Sequence, residues 1–298
     1  MLGHGCFGNV HTARWRGGSV ACKMMHRSRL NEHDIAVALR SAQLQLSLPS
    51  HPNIVRLHGL AWSCENACVI NVMELCAGGT LAAALETSAI DPTGKQALGW
   101  RSHKLSIAAG LAQGLAFMHE QSPPIIHRDI KPENILLTDD RRSAKIADLG
   151  LCRELASDVN GPLSAQVGTP AFSAPEALYS TGCVLEPREK TGRPKREPYD
   201  QRADLWSFGC VLICMDGNRK YPYSDQQASE DTNNFINELV KGRFRPAVRA
   251  ASPFFSLVHD CCRDVVLRPT ATQLAARLLE DEMIELCEAE QRKVENKI

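Results

Sequence analysis

The sequence predicts an α+β fold, rich in strands toward its amino end and helical beyond. Three observations predict it. Val10–Trp15 and Ser19–Met24 read as two strands joined through Gly17 and Gly18, a hairpin signal, and Val69–Leu75 is a further apolar strand. Residues 34–48, residues 107–119 and the stretch opening at Asp204 carry apolar side chains at helical spacing or in runs of helix length. At 298 residues the chain can bury a sizeable core, as one large domain or as two lobes.

Lys plus Arg and Asp plus Glu both number 34, so the formal net charge is zero and the balance points neither to nucleic acid nor to an anionic membrane surface. No run approaches the ~20 apolar residues that span a bilayer. The opening Met1-Leu2-Gly3-His4-Gly5 has neither the basic flank nor the apolar core of a secretion signal. The 12 cysteines are scattered, which reads as reduced, mostly buried thiols of a cytoplasmic, reducing compartment. Cys64 and Cys68 lack a second pair at ligand spacing, so ordinary small apolar residues are preferred to a zinc site.

Taken in order, the chain opens on Gly3, Gly5 and Gly8, followed by Val10, with Cys6 and Phe7 between the last two glycines. Glycines let a backbone close over phosphates and offer N–H groups to them. The second strand carries Val20-Ala21-Cys22-Lys23. Ile35, Leu39, Ala42 and Leu46 then mark an amphipathic helix over Asp34–Leu48, stopped by Pro49. His51-Pro52-Asn53 leads onward to the strand ending in Met73-Glu74-Leu75-Cys76, and Ile107–His119 is a long helix with an apolar face. His127-Arg128-Asp129-Ile130-Lys131-Pro132-Glu133-Asn134 places a carboxylate, an ammonium and an amide on one short loop, and Asp148-Leu149-Gly150 adds a second carboxylate before a flexible turn. That toolkit suits phosphoryl transfer, in which a protein mainly positions reactants and neutralises phosphoryl charge. Residues 180–200 are rich in Pro, Gly and charge and are expected to form a mobile loop whose basic residues are solvated. Asp204-Leu205-Trp206-Ser207-Phe208-Gly209 opens an apolar helix, and residues 280–298 read as a charged helix.

These motifs resemble the eukaryotic protein kinases, over essentially the whole chain from 2 to about 280. The wording of Ala13-Arg14-Trp15-Arg16-Gly17 and of Gly114–His119 is similar to the tyrosine-kinase-like and receptor-like branch of the Ser/Thr kinases. The resemblance implies a bilobal fold: a small β-rich N-lobe with the hinge over 1–76, a larger helical C-lobe over 77–280, and the charged tail over 281–298. It also implies that more of a first strand, and flanking domains, precede the glycine motif in a longer protein. By the same resemblance ATP is bound by Leu2, Gly3, Gly5, Gly8, Val10, Ala21, Lys23, Met73, Glu74, Cys76 and Leu136, with Met73 as gatekeeper and the backbone of Glu74 and Cys76 at the adenine edge. Asn134 and Asp148 hold Mg²⁺. Asp129 orients the acceptor hydroxyl and receives its proton, Lys131 neutralises the γ-phosphoryl, and Thr169 of Gly168-Thr169-Pro170 bridges the two. A lysine at 131 points to serine and threonine acceptors on protein substrates. Arg128 meets a phosphate on the activation loop, for which Ser164 is preferred over Ser157. Asp204 holds the catalytic loop backbone, and Arg268 pairs with Glu176 of Ala174-Pro175-Glu176.

One departure stands out. Active relatives pair the strand lysine with a glutamate on the following helix, and counting from His51-Pro52-Asn53 puts that position at Ser41, or at Ala42 one residue on. No Asp or Glu occurs between Asp34 and Glu65. Lys23 is therefore expected to be held by phosphates, with Ser41, Gln43 or Gln45 as a neutral second partner. The expected enzyme is weak or conditional, needing an activating partner or an amino-terminal segment to place the helix, and Ser41→Glu is expected to raise its turnover. The competing readings are an ATP-binding pseudokinase that acts as an interaction module and a small-molecule kinase, the latter weakened by the substrate-binding activation segment.

Overall fold

A computed structural model of the chain describes residues 2–5, 8–26, 32–63, 68–91, 97–149, 152–154, 169–180, 200–223 and 231–296. Cys6, Phe7, Cys64, Gly150, Ser157, Ser164, Gly168 and the loop 181–199, all singled out above, lie outside the described residues. Strands β1 (Gly3–Gly5) and β2 (Gly8–Trp15) pair antiparallel with Gly5 opposite Gly8. The chain then turns through Arg16 (φ 49) and Gly17 (φ 82) into β3 (Gly18–His26). Two consecutive left-handed residues give the turn whose twist matches that of its strands. The reversal therefore lies one residue earlier than the Gly17-Gly18 reading, and Gly18 pairs with Trp15 as the first residue of β3. Strands β4 (Leu57–Ser63) and β5 (Cys68–Glu74) complete a five-stranded antiparallel sheet of order β1-β2-β3-β5-β4.

Helix α1 (Glu32–Ser47) packs on β4. Of its predicted apolar stripe only Ala42 is fully buried, at 2% exposure; Leu39 is 41% and Leu46 47% exposed. The periodicity is right and the stripe is wider than the line along which one helix meets one sheet edge.

Beyond Glu74 helices dominate. Thr80 caps α2 (Leu81–Ile90) by accepting the Ala83 N–H at 3.1 Å. A wide π-helical turn at Trp100–Leu105 leads into α3 (Ser106–His119), whose Ile107, Leu111, Leu115 and Met118 are wholly buried. Such side chains each contribute roughly 1.5–3 kcal/mol on burial. Asn53 lies against α3 where Gly110 and Gly114 leave room, since a Cβ at 110 would stand 2.6 Å from the Asn53 amide nitrogen. That amide donates to Ala144 O (2.9 Å) while Asn53 O accepts from Ile146 N (2.8 Å), so the segment after α1 is fastened to the C-lobe. Short strands follow, β6 (Ile125–Ile126), β7 (Ile135–Leu137), β8 (Ala144–Ile146) and β9 (Arg153–Glu154), paired as β6 with β9 and β7 with β8.

Helices α4 (Pro175–Ser180), α5 (Arg202–Gly217), α6 (Thr232–Val240), α7 (Phe255–Cys261), α8 (Ala271–Arg277) and α9 (Asp281–Glu295) build the rest of this lobe. Every residue of α5 from Ala203 to Met215 is buried, which places it at the lobe's centre. The charged tail has an inward stripe: Met283, Cys287 and Glu290 of α9 are buried, and Gln291 Oε1 accepts the Trp100 N–H at 2.7 Å. No helix among the described residues is long and apolar enough to cross a membrane.

Candidate active site

The loop from His127 to Asn134 is fixed from below by α5. Asp204, 1% exposed, accepts the His127 N–H (2.8 Å) and the Arg128 N–H (2.9 Å) and meets His119 Nε2 at 2.9 Å. These contacts hold Arg128 in the left-handed region, at φ 71. Burial alone would raise the Asp204 pKa, but the His119 contact, the nearby His127 and the Arg128 N–H outweigh it and keep the carboxyl below the usual carboxylate range. A depressed carboxylate contributes stability above its unfolded pKa and loses it as pH falls through the folded value. Asp204→Asn is accordingly expected to cost about 3 kcal/mol at pH 7, and less below about pH 4. Urea unfolding at both pH values measures this, and an equal cost at each would contradict it.

On that loop three donors converge on one carboxylate. Lys131 Nζ lies 2.8 Å from Asp129 Oδ2, Asn134 Nδ2 donates to the same oxygen at 2.7 Å, and Thr169 Oγ1 donates to Oδ1 at 3.3 Å. Lys131 Nζ also donates to Thr169 Oγ1 at 2.8 Å, so the threonine adds a second link between lysine and aspartate. Asn134 Nδ2 donates in addition to Asp129 O (2.8 Å), so its amide N–H groups are spent on Asp129.

From the sheet, Lys23 Nζ donates to Asp148 Oδ1 at 3.0 Å. Desolvation raises the Asp148 pKa, yet the charge and hydrogen bond of Lys23, with help from His127 and Lys131, prevail and lower it. The carboxylate of the Asp148 turn is therefore a charged partner of the lysine, where a neutral one was expected. Gln45 is turned elsewhere, donating to Val55 O (2.8 Å), and Ser41 Oγ donates to Leu149 O (2.5 Å).

Most of the remaining predicted residues lie along the sheet, with Leu136 on β7. Val10 stands opposite Lys23 across β2 and β3, and Ala21 opposite Met73 across β3 and β5. Leu2 extends the sheet edge through its N–H to Val10 O (2.8 Å) and is 53% exposed, while Leu136 on β7 is half-buried. A model of the protein kinase domain matches residues 1–279. The chain belongs to the protein kinase domain family. It is 34% identical over 216 residues to serine/threonine-protein kinase CTR1 of Arabidopsis thaliana, covering 71% of this chain and 22% of that protein. It is 27% identical over 287 residues to stress-activated protein kinase alpha of Dictyostelium discoideum, covering 93% of this chain and 40% of that protein. The chain spans between 11% and 40% of the length of the curated relatives it matches.

In this kinase domain the hinge is held by a contact that sequence reasoning missed. Glu74 accepts from Lys145 Nζ (3.1 Å) and from Arg56 N (2.7 Å), and its own N–H goes to Arg56 O (3.0 Å). The signal was available: Lys145 sits between buried Ala144 and Ile146 on β8, so alternation turns it away from the core. Burial, then the charge of Glu74, pushes the neighbouring Cys76 thiol up to about 11, which keeps it neutral. His119 beneath Asp204 was also missed, since a histidine at a helix end has many uses.

Below the loop, Arg268 binds Glu176 with both guanidinium nitrogens, NH1 to Oε1 at 2.5 Å and NH2 to Oε2 at 3.1 Å, and donates through NH1 to Arg202 O (3.0 Å). This is the ion pair expected from sequence. It ties α4, which follows Thr169, to α5 and to the segment before α8.

Proposed function

We propose that this domain transfers the γ-phosphoryl of Mg-ATP to serine and threonine hydroxyls of protein substrates. The observation that supports it best is the joint arrangement of Asp129, Lys131, Thr169 and Asn134 on one side of the cleft with Lys23 and Asp148 on the other. Asp129 would receive the acceptor proton as the oxygen attacks phosphorus, and Lys131, 2.8 Å from it, would neutralise phosphoryl charge as that proton arrives. Thr169 bonds to both and fixes their relative placement. Lys23 would grip the α and β phosphates under a loop formed by Gly3, Gly5 and Gly8, with Leu2, Val10 and Ala21 above the adenine and Leu136 below it. Met73 would close the rear of the pocket. Since the Glu74 N–H is committed to Arg56, the Cys76 N–H is the donor left at the hinge for the adenine edge.

The donor set fits a hard divalent cation: the amide oxygen of Asn134 and a half-buried carboxylate on Asp148, both oxygen ligands. Magnesium held by Asn134 and Asp148 would supply neutralisation of phosphate charge. The names of the relatives, with Lys131 and Thr169, favour serine and threonine acceptors. Reduced thiols favour a cytoplasmic setting, with flanking domains free to tether it and a partner or amino-terminal segment to place α1. Incubating the domain with labelled ATP, Mg²⁺ and a generic protein acceptor tests the reading through phosphoserine and phosphothreonine. Nucleotide binding without transfer to any acceptor would leave the pseudokinase instead.

A further inference from the structure

We infer that Ser41 is a positioning residue for the phosphotransfer site: its hydroxyl ties α1 to the backbone of the turn that presents Asp148, so that seating the helix and presenting the carboxylate become one event. The inference rests on the functional reading above and adds to it the element that couples helix and cation site.

A serine inside a helix usually turns its hydroxyl back onto a carbonyl of its own helix. This chain does so elsewhere, with Ser88 donating to Ala84 O (2.8 Å), Thr87 to Ala83 O (2.9 Å) and Ser47 to Leu44 O (2.7 Å). Ser41 departs from that habit. Its hydroxyl crosses to Leu149 O at 2.5 Å, a residue 108 positions away and 1% exposed. The same carbonyl accepts the Cys152 N–H at 3.1 Å, so both of its lone pairs are used.

The turn held in this way is pinned by three different elements. The catalytic loop holds Ala147 O through His127 Nε2 (3.0 Å), β3 holds the Asp148 carboxylate through Lys23 (3.0 Å), and α1 holds Leu149 O through Ser41. The turn needs such restraint, because Asp148 sits at φ 59, in a region that costs a non-glycine residue free energy. The bond also has a direction. A carbonyl oxygen accepts only, so residue 41 must donate, and the carboxylate that relatives carry on this helix could not replace it. This reverses the effect of Ser41→Glu expected from sequence alone, since glutamate would lose the donor and face a carbonyl oxygen.

The test uses the whole chain as wild type, Ser41→Ala, Ser41→Thr and Ser41→Glu. Binding of a non-hydrolysable ATP analogue is titrated calorimetrically across Mg²⁺ concentration, beside kcat and KM on a protein acceptor and the melting temperature. Ser41→Ala is expected to raise the Mg²⁺ concentration needed for half-maximal binding by about 3- to 10-fold, the effect of one hydrogen bond, and to lower kcat by a similar factor. Its melting temperature should fall by no more than about 2–4 °C, and its metal-free nucleotide affinity should match the wild type. Ser41→Thr, which keeps the donor, should lie near the wild type, and Ser41→Glu should be at least as impaired as the alanine. Unchanged Mg²⁺ dependence in Ser41→Ala, a threonine variant as impaired as alanine, or a gain in Ser41→Glu would each overturn the inference. The binding arm needs no turnover, so a wild type that binds Mg-nucleotide without transferring phosphate overturns the proposed function while the Ser41 series still reads out. A wild type without Mg²⁺-dependent binding overturns both.

Discussion

Asp129→Asn is expected to lower the phosphotransfer rate by about 10²- to 10⁴-fold, the range of a positioned general base, with nucleotide affinity nearly unchanged. In the proposed role the carboxylate serves proton transfer and is not itself a cation ligand, so its removal is expected to fall on the transition state rather than on ground-state ATP binding. The variant also alters the loop in a readable way. Asp129 accepts from Lys131, Asn134 and Thr169, with the first two on the same oxygen. Asparagine accepts on one oxygen only, so whichever rotamer it takes, its NH₂ must face either Lys131 and Asn134 or Thr169. Facing Thr169 is the lesser conflict, because that hydroxyl can rotate and accept. Folding should therefore survive, and equal melting temperatures with lost turnover would establish a chemical rather than a structural loss. Turnover near the wild type would remove Asp129 from the role proposed for it.

Much of this arrangement was legible because its motifs are local. The octet from His127 to Asn134 places a carboxylate, a lysine and an amide within one loop, and the observed contacts among Asp129, Lys131 and Asn134 span only a few residues. Asp204 and the Glu176–Arg268 pair are distant in sequence, but each sits at a fixed place in a family motif, so resemblance carried them. What stayed hidden depends on how separate elements are docked. Lys23 and Asp148 are 125 residues apart, Ser41 and Leu149 are 108 apart, and Lys145 and Glu74 are 71 apart. Counting residues put Ser41 on α1 where a partner for Lys23 was expected, whereas its hydroxyl reaches Leu149 O. The exposure of Leu39 and Leu46 was hidden for a related reason, since periodicity gives the direction of an apolar stripe and not the width of the surface that covers it.

Asp148→Asn is expected to weaken Mg-ATP binding about 10-fold and turnover about 10²-fold or more, in proportion to the loss of a metal ligand's charge and its supporting contacts. The substitution is a clean probe because of the backbone. Asp148 has φ 59, and asparagine is among the few residues that accept the left-handed region readily, so the turn can keep its shape while losing its charge. Lys23 provides a second readout with the opposite sign. In the wild type its ammonium is partly committed to Asp148 at 3.0 Å, and neutralising that carboxylate removes one competitor of the phosphates for the ammonium. Metal-free ATP should therefore bind Asp148→Asn as tightly as the wild type or more tightly, while Mg²⁺ should add far less affinity than it does in the wild type. Loss of affinity with and without the cation alike would point to a collapsed cleft. Full retention of the Mg²⁺ dependence would place the cation elsewhere. Weak binding confined to the Mg²⁺ arm, with metal-free binding preserved, is the pattern that follows from one carboxylate divided between a lysine and a divalent ion.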